Sequence, residues 1–127
     1  MVRVRVAIPC SDESGLNSTV SQHFGRARYF LIAEIGDEIS TKVVELPFVN
    51  HMPGDIPRFL QSLGVDTVIV YGLGMKARSF FENMGITVIS GAMGRVGEVL
   101  ERFIRGNLVL DLEWERKEEF RRHGHCD

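Results

Sequence analysis

Cys10 and His23 stand at the two ends of a polar stretch that holds Ser, Asp, Asn, Thr, Gln and Gly but few apolar residues. Thiolate and imidazole are the donors that suit iron, copper, zinc or an iron-sulfur cluster. A second imidazole, His51, sits beside the thioether of Met52 in Asn50-His51-Met52-Pro53-Gly54, and His123-Gly124-His125-Cys126 places three such donors within four residues. One metal ion could be gripped from that spacing. Gly72-Leu73-Gly74 and Gly91-Ala92-Met93-Gly94 add two glycine clusters, where a bulky ligand can approach the backbone and meet N–H groups at helix starts. This inventory suits binding better than turnover. No Ser/His/Asp group has triad spacing, there is no Cys-x-x-Cys, and neither glycine cluster fits a P-loop or a dinucleotide fingerprint.

Every one of these residues also has a plainer reading. Cys10 fits a small buried residue at a strand end, and His23 a loop histidine bonding a strand terminus. His51 and Met52 fit loop filling, Gly72, Gly74, Gly91 and Gly94 fit turns that open helices, and the His/Cys tail fits a terminus with incidental metal affinity. Arg26 and Arg28 could attract an anionic cluster or simply be solvated.

The elements that must position these groups follow from periodicity. Val2, Val4, Val6 and Ile8 alternate with Arg3, Arg5 and Ala7, which reads as a first strand over 2–8 closed by Pro9. The stretch 10–25 is too long for a tight turn and reads as a functional loop. Residues 28–35 and 39–48 are rich in aromatic and β-branched types around Gly36-Asp37, so they form an antiparallel hairpin. From Asp55 the period becomes helical: Ile56, Phe59, Leu60 and Leu63 share one face behind a capping Asp55. Apolar runs at 65–71 and 86–89 read as buried strands, and Ala77, Phe80, Phe81, Met84 and Val96, Val99, Leu100, Phe103 as helix faces. The expected helix stops Gly64, Gly85 and Gly106 are 21 residues apart, one strand plus one helix per interval. The result is a mixed α/β sheet in the order 3-2-1-4-5, with only the second strand antiparallel to the rest. Right-handed crossovers then gather Cys10, His23, His51 and both glycine clusters at the carboxyl edge, where open α/β sheets bind ligands. Residues 108–114 could add an edge strand or dock extended.

Composition narrows the partners. The chain has 127 residues, 44% of them hydrophobic, which suffices for one cored domain. A formal charge of -2 lacks the basic excess of a nucleic-acid binder, no apolar run is long enough for a membrane span, and the N-terminus has no signal-peptide core. A cytoplasmic protein with free thiols is expected.

Val20-Ser21-Gln22-His23-Phe24-Gly25-Arg26-Ala27-Arg28-Tyr29-Phe30-Leu31-Ile32 resembles the His-x-Gly-x-Ala segment of the dinitrogenase iron-molybdenum cofactor biosynthesis family. Val68–Gly74, Gly85–Val88 and Phe103–Leu108 add similarity in the family's order, so that it covers most of residues 2–108. The resemblance implies a ribonuclease H-like three-layer α/β/α fold in a domain over 1–108, followed by an extension over 109–127. It implies non-catalytic carriage of an iron-sulfur or iron-molybdenum cofactor precursor, with cofactor-assembly proteins as partners. The residues expected at the cofactor are His23, Phe24, Gly25, Arg26, Gly72, Gly74 and Gly91. Metal ligands are expected from His23, Cys10, His51, His123, His125 and Cys126. A two-metal nuclease of that fold would need several clustered carboxylates. Here the first strand has none, Asp66 starts its strand at the wrong edge, and Asp12, Glu13 and Asp55 lie in or beside connections expected to be flexible. The other function class is a small regulatory or interaction domain of the same fold without metal.

Overall fold

A computed structural model describes residues 3–111 and 113. Its strands are β1 (Val4–Cys10), β2 (Tyr29–Ile35), β3 (Ile39–Glu45), β4 (Thr67–Ile69) and β5 (Thr87–Ile89), and its helices α1 (Asp55–Ser62), α2 (Met75–Asn83) and α3 (Val96–Arg105). The sheet order is β3-β2-β1-β4-β5. β2 runs antiparallel to both neighbours, and β4 and β5 run parallel to β1. This is the expected mixed α/β sheet.

Alternation along the strands divides the core into two. Ala7, Phe30, Ile32, Val68 and Val70 face α1 and α2, whose Ile56, Leu60, Ala77 and Phe81 cover them. Val6, Ile8, Leu31, Ala33 and Ile69 face α3, which contributes Val96, Val99 and Leu100. A sheet between two helical layers follows. Gly64, Gly85 and Gly106 take φ of +80°, +76° and +77°, the left-handed conformation that ends each helix and sets the 21-residue rhythm.

Two details differ from the sequence reading, and a third choice it left open is decided. β1 continues through Pro9 to Cys10 instead of ending at Ile8. Arg5 N–H donates to Asp66 Oδ2 and Arg5 O accepts from Asp66 N–H, so residues 5, 7 and 9 turn their backbone toward the β4 side. Pro9 therefore takes no donor from the β2 ladder, and its carbonyl accepts the Ser21 N–H at 2.9 Å. Asp55 is the first residue of α1, behind Gly54 at the cap, and its carboxylate reaches back to the Met52 N–H at 2.7 Å. That bond and Arg58 hold its pKa below the usual carboxylate value. Of the two readings of the segment after α3, the structure takes the docked one, with no strand up to Asp111. It docks extended, with Leu108 and Leu110 against the α3-side core and the Asp111 N–H on Gly91 O at 2.7 Å. Leu112 and Trp114 lie outside the described residues.

Candidate functional site

The loop after β1 is stitched down rather than flexible. Ser11 N–H donates to Thr19 O at 2.9 Å, which folds residues 11–19 back on themselves. Val20 N–H then donates to Gly94 O, and Val96 N–H to Ser18 O, each at 2.8 Å. Asp12 accepts the Ser14 N–H at 2.9 Å, and this bond foremost keeps its carboxyl below the ordinary range. The chain thus forms a small ledge tied to β1 on one side and to the start of α3 on the other.

Between this ledge and the β4 and β5 ends lies a cleft of about 550 Å³. One wall is Ser11, Thr19, Val20, Ser21, Gln22 and His23; the other is Tyr71, Ala92, Met93 and Gly94. Tyr71 and Ala92 are buried at its floor, and Met93 is 53% exposed at its rim. His23 is half-buried, and its N–H donates to Ser21 Oγ at 3.3 Å while the Ser21 hydroxyl donates to His23 O at 3.1 Å. That reciprocal pair fixes the backbone from which the imidazole projects.

Phe24, next in the chain, is 1% exposed and packs edge-on to Phe30 and Phe81, with ring centroids 5.7 and 5.6 Å away. It roots the loop in the core and does not line the cleft, so as a cofactor contact it is corrected to an anchor. Gly25 and the exposed Arg26 complete a single helical turn, Arg26 N–H donating to His23 O at 3.0 Å. His51 Nε2 lies 2.8 Å from Gly25 O. A carbonyl can only accept, so Nε2 carries the proton, and His51 braces this turn from the β3–α1 connection. Neither His51 nor Met52 lines the cleft.

Cys10 is 1% exposed within the α3-side core, with Sγ 3.4 Å from Ile8 O. Burial pushes its thiol up to about 11, against a smaller opposing contribution from the Leu31 N–H. A neutral core thiol results, so the structure supports the plainer of its two readings. Gly72 is buried and Gly74 caps α2. Gly91 has φ +97°, and a Cβ there would sit 2.6 Å from Asp111 O, so its glycine serves the docked segment. His123, His125 and Cys126 lie outside the described residues.

The sequence therefore placed His23 and the Ala92-Met93-Gly94 wall at the carboxyl edge but did not single out Tyr71. Tyr71 is the main omission. Its signal was a phenol at the end of an otherwise apolar strand, just before Gly72; the ring is buried at the cleft floor and its hydroxyl donates to Asp111 Oδ2 at 3.5 Å.

Among the described residues, no three His, Cys, Asp or Glu side chains lie close enough to hold a metal ion. A bare zinc-like ion asks for about four such ligands, which this cleft does not supply. A cluster that brings its own sulfides asks the protein for far fewer. One imidazole, the Met93 thioether, three hydroxyls and a glycine-bearing wall fit that second kind of ligand. No helix among the described residues is long and apolar enough to cross a membrane.

Fold and cleft together define a mixed α/β domain with an open cleft at the carboxyl edge of its sheet, the edge where open α/β sheets bind ligands. The chain belongs to the dinitrogenase iron-molybdenum cofactor family, whose model matches residues 4–106. It is similar to PH0822, whose crystal structure superposes with a TM-score of 0.83 at 42% identity over 87% of this chain and 99% of that one. A Thermotoga protein of the DUF35 family, provisionally called a NifB protein and solved by NMR, superposes with a TM-score of 0.69 at 30% identity over 84% of this chain and 92% of its own. An uncharacterised protein of Methanocaldococcus jannaschii, MJ0580, is 30% identical over 110 residues, which are 83% of this chain and 89% of that relative.

Proposed function

We propose that the protein binds and carries a preassembled iron-sulfur or iron-molybdenum cofactor precursor, without turning over a substrate. His23 is the protein ligand to the cluster, and Met93, Tyr71 and the Ser11, Thr19 and Ser21 hydroxyls form its walls. The observation that carries this reading is the composition of the cleft. It has room for a body of several hundred Å³ but, among the described residues, too few ligands for a bare ion. Such a site suits cargo that arrives with its coordination mostly filled and can leave again. Membership of a family named for the iron-molybdenum cofactor supports that choice of cargo. The partners in this reading are the cofactor-assembly proteins that donate and accept the cluster.

The test is anaerobic reconstitution of the full chain with iron and sulfide, or with purified cofactor, followed by gel filtration and metal analysis. Iron co-eluting with protein in a fixed ratio is the expected result. Iron at the level of a protein-free blank in both arms would leave the metal-free regulatory or interaction domain as the reading to pursue.

A further inference from the structure

After α3 the chain runs extended over residues 108–111 and meets the far wall of the cleft. Leu108 and Leu110 pack, partly buried, against the α3-side core, to which Ala92 of that wall also belongs. Val109 between them is 73% exposed. This is the alternation of an extended segment with one apolar face, laid on the core rather than built into it. Met93 lines the cleft and also a groove of about 380 Å³ whose other sides are α3 and residues 108–111.

Asp111 joins this segment to the cleft. Its N–H donates to Gly91 O at 2.7 Å, the Tyr71 hydroxyl donates to its Oδ2 at 3.5 Å, and its Oδ1 accepts the Glu113 N–H at 3.0 Å. The bond to Gly91 is well formed, whereas the one from Tyr71 is long and gives direction more than strength. Gly91 in turn donates its N–H to Tyr71 O at 2.8 Å, and Ala92 donates to Val70 O at 3.0 Å. One aspartate thus ties the cleft floor to the loop that carries Ala92, Met93 and Gly94. The fit is close: a Cβ on Gly91 would lie 2.6 Å from Asp111 O and 3.0 Å from Asp111 N.

We propose that docking of residues 108–111 and binding of the cluster are linked equilibria, with Asp111 as the positioning residue for the Tyr71 floor and the Met93 wall. This rests on the cargo-carrying reading above. With the segment docked, Gly91 O and the Tyr71 hydroxyl have Asp111 as a partner, and the 90–94 loop is held from behind. With it released, that support is gone. A cluster that touches Tyr71 and Met93 therefore binds the docked form better, and a ligand shifts an equilibrium by its differential affinity for the two forms. Linkage makes the effect reciprocal: cargo holds the segment down by the same factor by which the docked segment tightens cargo. A short surface segment belongs to the least stable part of a fold, where such opening is populated. The loading state of the carrier is thereby reported in the chain that leaves the cleft wall at Asp111.

The test is residue-resolved hydrogen exchange by mass spectrometry on the full chain, empty and reconstituted with iron and sulfide, for wild type, Leu110→Ser and Asp111→Pro. Leu110→Ser weakens the apolar contact of the segment, and Asp111→Pro deletes the N–H that bonds Gly91 O without altering the core. Cluster loading should slow exchange at the wild-type Asp111 amide by about tenfold, and both variants should bind the cluster weaker by a similar factor, about tenfold. In the empty chain both variants should also speed exchange at the Val20 amide, which bonds Gly94 O across the cleft, while the amides between β1 and β2 keep wild-type protection. A wild-type chain that takes up no iron overturns the carrier reading and the linkage with it. Loading that leaves Asp111 exchange unchanged, variants that bind the cluster as wild type does, or unaltered Val20 exchange in both empty variants would each overturn the linkage alone.

Discussion

The two ends of the sheet are built from different materials. At the amino end of β1, charged side chains close the structure: Arg5 pairs with Glu34 and also donates to Leu63 O, and Arg3 adds to the pair from 3.6 Å. The Arg5 bond to Glu34 and its positive charge hold that carboxyl below the usual value. At the carboxyl end backbone hydrogen bonds tie the connections together, the Ser11 and Ser21 hydroxyls bond within the loop, and His23 and Met93 line an open cleft. The contrast teaches how the fold separates its tasks. Where backbone hydrogen bonds tie the loops together, the surface between them is lined by imidazole, thioether and hydroxyls; where charged side chains close the turns, it is lined by paired charges.

That contrast can be broken first at its anchor. Phe24→Ala should cost about 3–5 kcal/mol in urea unfolding, because it empties a core site under two aromatic neighbours. A loss of under about 1 kcal/mol would mean that Phe24 belongs to the cleft after all.

Cys10 sharpens the comparison through pH. Its folded pKa lies above the ordinary 9.0, so the neutral thiol's contribution is complete below pH 9 and is lost as pH rises toward 11. The expected decline in unfolding free energy over that range is about 2–3 kcal/mol, and it should be missing in Cys10→Ser. An identical decline in both proteins would take Cys10 out of the core.

Gly91→Ala should cost roughly 1–3 kcal/mol through its left-handed φ and the clash with Asp111 O. The same change should raise hydrogen exchange at the Asp111 amide, which is bonded to Gly91 O. Protection equal to wild type would show that the docked segment does not depend on this glycine.

Much of this was legible in the sequence. The strand order and helix stops came from two periodicities and three glycines, since both report local backbone geometry directly. His23 came from its place after a strand and from the motif around it. What stayed hidden were contacts between residues far apart in the chain. Neither the Val20–Gly94 and Ser18–Val96 bonds that make the ledge nor the pairing of Tyr71 with the His23 wall leaves a periodic trace. Phe24 and His23 were adjacent in one motif, yet one points into the core and the other to the cleft, a division set by the turn at residues 24–26. Pro9 misled because its effect depends on which neighbour its missing N–H would have faced.

The central claim is that His23 holds the cargo while the surrounding loop stands without it. The most direct measurement is anaerobic cluster loading of wild type and His23→Ala, with metal per chain and thermal unfolding followed on the same samples. The account predicts that His23→Ala loses most of its cluster affinity, while its unfolding free energy stays within about 0.5 kcal/mol of wild type, as expected of a half-exposed side chain. Unchanged stoichiometry and affinity in His23→Ala would contradict it.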